Sequence, residues 1–440
     1  MKTINDPIHG FMRFDDEEIK VINSLPMQRL RNIHQVSMCC LVYPAATHKR
    51  FEHSLGACHL AGVVFDTLLR EDRWELTLSA FKSARGSQAN TLLGALKGDA
   101  PKYRRWLRFG ALLHDLGHAP FSHITEGLMP EGCDHESFTV KAIKRLVLAN
   151  DGVFKEEDLL PIAWISVGEK TAKNVLKQSS TRVADPELLN LLSRVVTSDA
   201  CGVDRIDYLL RDGLHTGVRY GQIDYGRLLE MVAILPPVEK SSPGKLALGI
   251  LSGGIHAVEE LLLARYFMFQ EVYAHPTIRL FNIHLLKFLE SQLKGGLLPT
   301  DIEEFLKWDD NRVLNLIREA GDTSVHATAL NERKHFRRVL TSHSDTKEEK
   351  ARFEKACNLL SANYGEEKVT AIEFSKKTKP ITIPVFTKDQ RCESFDSISS
   401  LAGSLPTIFV KLLAVSEELK SQALDLLSKN KTTKKSRPKI

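Results

Sequence analysis

Apolar residues recur at helical spacing through most of the first two thirds of the chain. Residues 16–35 read as helix interrupted at Pro26, because proline removes a backbone donor and breaks the helical ladder. Residues 53–70, 103–116 (ending near Gly117), 136–149 and 187–213 follow as further helices, the last read as one long Leu-rich element with Asp and Arg on one face. Between the second and third, Ser83–Lys102 is polar and carries Gly86, Gly94, Gly98 and Pro101, the composition of a surface insertion over residues 80–102. Pro236, Pro237, Pro243 and Gly244 predict a loop; Lys245–Ser252 predicts a short strand that Gly253-Gly254 ends. Helix resumes from His256 to Tyr273 and at 277–293. Beyond about residue 320 the pattern weakens: Pro380–Phe386 alternates like a strand and 406–428 reads as helix. The expectation is a mainly α protein, with a helical core domain over 1–300, a smaller mixed α+β region over 301–427 and a tail over 428–440, without internal repeats.

Composition narrows the class. A chain that is 43% apolar and 26% charged is ordinary for a soluble globular protein. No apolar run approaches the roughly 18–20 residues that span a bilayer, and Met1–Pro7 lacks the apolar stretch of a secretion signal. The expected location is therefore the cytoplasm, with no membrane partner. The seven cysteines are odd in number, irregular in spacing and never form C-x-x-C, so they read as reduced thiols. The net charge of +5 is concentrated in Ser428–Ile440, which holds six Lys or Arg and no acid. Such a tail reads as a solvated end, with a weak nucleic-acid contact as the sharper alternative.

The chemistry concentrates in Leu112-Leu113-His114-Asp115-Leu116-Gly117-His118-Ala119-Pro120-Phe121-Ser122-His123. An apolar helix carrying Phe109, Leu112 and Leu113 delivers an imidazole and a carboxylate to its buried end. Buried polar groups are costly unless partnered, and one divalent cation satisfies both. A lone His-Asp pair is usually a surface pair. Here His118, His123 and Asp134-His135-Glu136 crowd the same region, which favours a metal centre. Further ligands must come from elsewhere. His53 opens a helix within Arg50-Phe51-Glu52-His53-Ser54-Leu55-Gly56, and Asp204, Tyr208 and Asp212 share one helical face. A salt-bridged amphipathic helix would also account for the second segment, but Asp204 sits in a mostly apolar run beside Val203 and Ile206.

The order His53, His114-Asp115, Asp204 resembles the H…HD…D pattern of HD-domain metal phosphohydrolases. Together with Asn5-Asp6-Pro7-Ile8-His9-Gly10 and Val203-Asp204-Arg205-x-Asp207-Tyr208-x-x-Arg211-Asp212, residues 1–285 resemble the deoxynucleoside triphosphate triphosphohydrolases of that superfamily, the SAM- and HD-domain dNTPases and their bacterial relatives, without a SAM domain. The resemblance implies hydrolysis of a dNTP to deoxynucleoside and inorganic triphosphate. It implies a divalent ion (Mg, Mn, Fe or Zn) on His53, His114, Asp115 and Asp204. It places His118, His123 and His135 at the reaction centre, with His123 as the acid for the leaving oxygen. Arg50, Arg205 and Arg265 would clamp phosphates, Gln35 and Asp212 would bind the sugar 3′-hydroxyl, and Tyr208 and Tyr273 would pack on the sugar, Tyr273 excluding a 2′-hydroxyl. A homo-oligomer (dimer, tetramer or hexamer) and a dGTPase-like role in nucleotide-pool control or antiviral defence are implied as well.

Departures qualify what carries over. Lys2, Gln28 and Arg31 match an effector site, but Asn23 stands where a guanine-reading acid is expected, Pro276 replaces a lysine, and Gln35-Val36-Ser37 replaces Gln-Leu-Gly. Two rival readings stay open: another HD phosphohydrolase (nucleotidase, phosphodiesterase or nuclease), or a nucleotide- or nucleic-acid-binding regulator with a relic site. No Walker A loop, G-x-G-x-x-G or nucleophile elbow is present.

Overall fold

The computed structural model describes residues 1–83, 87–149, 152–177, 185–238, 245–377 and 381–432. The chain forms two compact units: Met1–Met268 with Leu297–Asn311 and Pro380–Leu405, and Phe269–Gly296 with Arg312–Lys379 and Pro406–Ile440. The division is not a single cut near residue 300, because the chain passes repeatedly from one unit to the other.

The first unit is built around the helix Arg50–Leu69. It is apolar on every side and buried over nearly its whole length, as a central helix must be. The helices Ala100–Leu113 and Val203–Thr216 pack against it. The helix Leu159–Val167 packs on Ala100–Leu113, Pro186–Thr197 and His135–Leu148. A hairpin pairs Lys2–Asp6 with Gly10–Phe14, turning at Gly10 with φ +65°. A small sheet orders Val232–Leu235, Ala247–Leu251, Pro384–Phe386 and Cys392–Ser394, so the expected strands near 245–252 and 380–386 both contribute, shorter than anticipated.

The stretch expected as a surface insertion over 80–102 is largely helical over its described residues, and the single helix expected over 187–213 is corrected. Helices run over Glu71–Ser83 and Ser87–Gly98, and the second buries Ala89, Leu92, Leu93 and Leu96. The single helix expected over 187–213 is two, Pro186–Thr197 and Val203–Thr216. The break places Asp204 in the first turn of a new helix, where a carboxylate meets the positive end of the backbone dipole.

In the second unit the strand Ile408–Val415 lies between Arg337–Ser342 and Val369–Lys376, antiparallel to both. Leu413 and Val415 join Phe353, Leu360 and Ala423 in one core, while Ala414 packs with Leu280 and Phe336 in another. The helical reading of 406–428 is thereby corrected: a central strand covered on both faces, then the helix Lys420–Thr432. The tail from residue 433 lies outside the described residues. All seven cysteines are free. Among the described residues no helix is long and apolar enough to cross a membrane.

Candidate metal centre

Three helix ends deliver the expected ligands. His53 lies in the first turn of Arg50–Leu69, His114 caps the end of Ala100–Leu113, and Asp204 opens Val203–Thr216. After His114 the chain turns away through Gly117, which touches the helix His135–Leu148 so closely that a Cβ would lie 2.1 Å from His135 O. Thr139 stitches the turn, accepting from Gly117 N–H at 3.0 Å and donating to His114 C=O at 3.0 Å. The capping carboxylate of Asp134 then starts His135–Leu148, with His135 as its first residue.

These elements bring His53, His114, Asp115 and Asp204 together. His53 Nε2 is 3.2 Å from Asp204 Oδ1 and 3.6 Å from Asp115 Oδ2. His114 Nε2 is 3.4 Å from Asp115 Oδ1 and 3.5 Å from Asp204 Oδ1. It is buried and makes no hydrogen bond of good geometry among the described residues. The opposite ring nitrogens are spoken for: His114 Nδ1 donates to Ala111 C=O at 2.8 Å, and His53 Nδ1 meets Asp207 Oδ2 at 2.7 Å. Such outer bonds fix the tautomer that aims Nε2 at a cation. His53, His114 and Asp115 offer ligand atoms within 4.8 Å of one another, Asp204 joins through the two imidazoles, and one ring nitrogen is left unsatisfied, a set that suits a divalent ion. His53 shows the charge imbalance. Burial alone would lower its pKa, but hydrogen bonds to Asp204 and Asp207 and the nearby Asp115 raise it to about 10. Burial likewise opposes ionisation of Asp115, yet Arg50, His114 and His118 hold it well below the usual carboxylate range.

A second cluster adjoins the first. His118 Nε2 is 3.2 Å from Asp115 Oδ1, and its ring stacks on His135 with centroids 4.3 Å apart. His123 stands edge-on to both rings, exposed, and Glu126 meets His123 Nδ1 and His135 Nδ1 at 2.7 Å each. The four residues His118, His123, Glu126 and His135 themselves form a group able to hold a cation. Burial, Arg50 and His135 push His118 well below the normal imidazole range.

The remaining expected residues fall as follows. Arg50 donates to Asp115 and to Ser122 Oγ. Arg205 and Arg265 both pair with Asp199 Oδ1, at 2.7 and 3.3 Å. Asp212 accepts from His48 Nε2 at 2.7 Å. Gln35 is buried, and its Oε1 lacks a hydrogen-bond partner among the described residues. Tyr208 is half-buried, and desolvation lifts its phenol to about 12. Gln28 Nε2 donates to Ile22 C=O and Arg31 Nε to Gln28 Oε1, with Arg31 over the Phe51 ring; Lys2 is exposed on the hairpin. Tyr273 belongs to the second unit, where it packs edge-on to Phe269; its expected place against a sugar rests on the resemblance alone.

Sequence reasoning missed the support beneath His53. Asp207 is fully buried and receives Arg211 on both oxygens, His53 on Oδ2 and His9 on Oδ1. Arg211 also holds Asp6 at 2.9 Å. The signal was present, since Asp207 and Arg211 stand one helical turn apart and Asp6 and His9 lie in one short motif. Gly56 makes room for this group: a Cβ there would lie 1.8 Å from Asp207 Oδ1 and 2.7 Å from Arg211 Nη2. Alanine gains roughly 1 kcal/mol of helix propensity over glycine, but overpacking costs about 1–3 kcal/mol, and here it also displaces a buried charge. Gly56→Ala should therefore destabilise the protein, seen as a lower urea midpoint; an unchanged or higher midpoint would show that the cluster yields freely.

Comparison with known proteins agrees with this geometry. Residues 50–212 match the HD domain, and residues 223–369 match the HD associated region. An uncharacterized protein of Methanocaldococcus jannaschii is 33% identical over 318 residues, 72% of this chain and 55% of that one. The deoxynucleoside triphosphate triphosphohydrolase SAMHD1 of Homo sapiens is 32% identical over 252 residues, 53% of this chain and 36% of that protein. The chain thus spans about half the length, or less, of these relatives. A crystal structure of a hypothetical protein from Aquifex aeolicus superposes with a TM-score of 0.75 at 29% identity, covering 97% of this chain and 99% of that one. With its two matched regions in succession and its histidines and aspartates gathered at one centre, the chain belongs to the HD-domain family of metal-dependent phosphohydrolases.

Proposed function

We propose that this chain hydrolyses deoxynucleoside triphosphates at the α-phosphorus, releasing the deoxynucleoside and inorganic triphosphate. The observation that carries the reading is the adjacency of two clusters: His53, His114 and Asp115, with Asp204 against both imidazoles, beside His118, His123, Glu126 and His135. The first four residues would hold a divalent cation, which when bound supplies an activated water near neutral pH. Attack on the α-phosphorus breaks its bond to the 5′-oxygen, which must gain a proton to leave. His123 is the exposed imidazole of the second cluster and donates that proton. Glu126 hydrogen-bonds His123 Nδ1, which orients that ring before substrate arrives, and lies 2.7 Å from His135 Nδ1.

A triphosphate brings about four negative charges and needs several cations around it. Arg205 and Arg265 both pair with the half-exposed Asp199, a carboxylate that phosphate oxygens can replace, while Arg205 also donates to Ser198 C=O. Gln35 Oε1, without a hydrogen-bond partner among the described residues, and the His48-anchored Asp212 are acceptors suited to a sugar hydroxyl. The likeness to deoxynucleoside triphosphate triphosphohydrolases over about half the chain supports the same substrate class. Incubation with each dNTP, singly and mixed, with Mg²⁺ or Mn²⁺ should release inorganic triphosphate and nucleoside. Orthophosphate, or pyrophosphate with a nucleoside monophosphate, would instead assign another phosphohydrolase chemistry.

A further inference from the structure

The segment from His118 to His123 carries two of the three reaction-centre histidines, yet it contains no regular helix or strand before Ser122. Its backbone takes an uncommon course. Phe121 has φ +59° and Ser122 φ +62°, two successive non-glycine residues in the left-handed region. Such a conformation persists only where its surroundings enforce it.

The enforcing group is Asp310, a fully buried carboxylate 189 residues away in the sequence. Its Oδ1 accepts Phe121 N–H at 2.6 Å. Its Oδ2 accepts His34 N–H at 2.7 Å and His34 Nδ1–H at 2.5 Å. Lys49 Nζ lies 2.7 Å from His34 Nε2 on the opposite side of the ring, so Nδ1 faces Asp310. The His34 ring in turn stacks on Phe121, nearly parallel at 7°. From there the order passes to the metal ligands. Ser122 Oγ donates to His34 C=O at 2.6 Å and accepts from Arg50 Nε at 2.7 Å, and Arg50 donates to Asp115. Arg29 pins the other end of the segment, with Nη2 on His118 C=O at 2.8 Å and Nε on Trp308 C=O at 2.9 Å.

We propose that Asp310 is a positioning residue for the reaction: acting through Phe121 and His34, it sets the backbone that aims His118 and His123 beside the Asp115 carboxylate. The role rests on the dNTP reading above for its chemistry, and on hydrogen bonds alone for its geometry. It gives the HD-associated region, which contains Asp310, a direct part in shaping the centre of the HD domain. A carboxylate is required because three N–H donors converge on it; an amide of the same shape offers one oxygen and two competing donors.

Asp310→Asn tests this. Loss of an outer-shell support of this kind costs about 10–100-fold, and here the loss should fall on kcat, with KM and the metal bound per chain unchanged. An unchanged kcat overturns the proposal. So does a loss matched by equal losses of folded protein and bound metal, because that assigns Asp310 to stability alone. Hydrogen exchange on the unaltered full chain without substrate provides a second test that needs neither the variant nor the dNTP activity. The Phe121 and His34 amides should resist exchange for hours, as core amides do. Exchange within seconds would show that the clamp does not hold, even if dNTP turnover were confirmed; slow exchange in a chain inactive on dNTPs would sink the substrate reading and leave the clamp.

Discussion

An Asp204→Asn chain is expected to retain its fold while losing its metal and most of its turnover. The substitution keeps the shape of the side chain and an oxygen within reach of His53 and His114, so packing is scarcely disturbed. Asp204 is also 30% exposed, which limits the stability penalty to roughly 1 kcal/mol or less. The electrostatic change is larger. Asp204 is the one carboxylate of the four-residue set without a permanent cationic neighbour: Asp115 is neutralised by Arg50, and the partners of Asp204 are the two imidazoles. Those imidazoles must be neutral to bind a cation, so Asp204 supplies most of the charge that would hold one. Losing it should lower kcat/KM by on the order of 10³-fold or more, equivalent to roughly 4 kcal/mol at the transition state. Bound metal, measured by elemental analysis after gel filtration, should fall below one equivalent in parallel. A variant that kept stoichiometric metal and full turnover would remove Asp204 from the donor set.

The parts of the centre that could be read from the sequence were those in which a polar residue interrupts an apolar surface. His114 and Asp115 end a run of buried apolar residues, and Asp204 sits between Val203 and Ile206; the apolar surroundings in the sequence make each conspicuous without any contact being known. Asp310 gave no such sign. Its neighbours Asp309 and Asn311 are equally polar, and its three bonds reach residues 189 and 276 positions away. Glu126 was hidden for a different reason: it is an ordinary acid in a short loop helix beside His123, and only the fold brings it to His135 as well. The misread elements have similar physical causes. Ile408–Val415 is covered on both faces, so it lacks the alternation of a half-buried strand and passes for helix. Residues 187–213 read as one helix because both halves carry the same leucine-rich periodicity, and periodicity does not register a five-residue turn through Gly202. The glycine-marked 80–102 stretch reads as a polar surface insertion, and its composition gives no sign of the burial of Leu92, Leu93 and Leu96.

Arg211→Leu should be the most damaging single change to stability in the first unit. The guanidinium is completely buried and serves two carboxylates, Asp207 through both of its oxygens and Asp6 at 2.9 Å. Leucine would recover some apolar burial, worth about 1.5–3 kcal/mol for a full side chain, but it cannot answer two ionised acids. Removing one partner from a buried ion cluster costs about 3–5 kcal/mol, since the charge left behind must be neutralised or the site must open to water. The sign of the pH dependence separates this cause from lost packing. Burial tends to raise the Asp207 pKa, but Arg211 and the hydrogen bonds from His53 and His9 hold it well below the ordinary carboxylate value. In the parent chain Asp207 therefore contributes stability that is present above the unfolded-state pKa of about 3.9 and lost as pH falls through the depressed folded value. Without Arg211 burial dominates and the folded pKa rises, so protonation favours the folded variant. The stability difference between parent and Arg211→Leu, measured by urea unfolding, should accordingly narrow as pH is lowered from 7 towards 5. A pH-independent deficit would mean that packing alone was lost, and a deficit below about 1 kcal/mol would mean that the cluster relaxes to water. Because Asp207 also fixes His53 Nδ1, metal affinity should decline in the fraction that still folds, typically 10–100-fold for an outer-shell partner. Stability and metal retention are thus coupled through one carboxylate, whereas Asp204→Asn separates them.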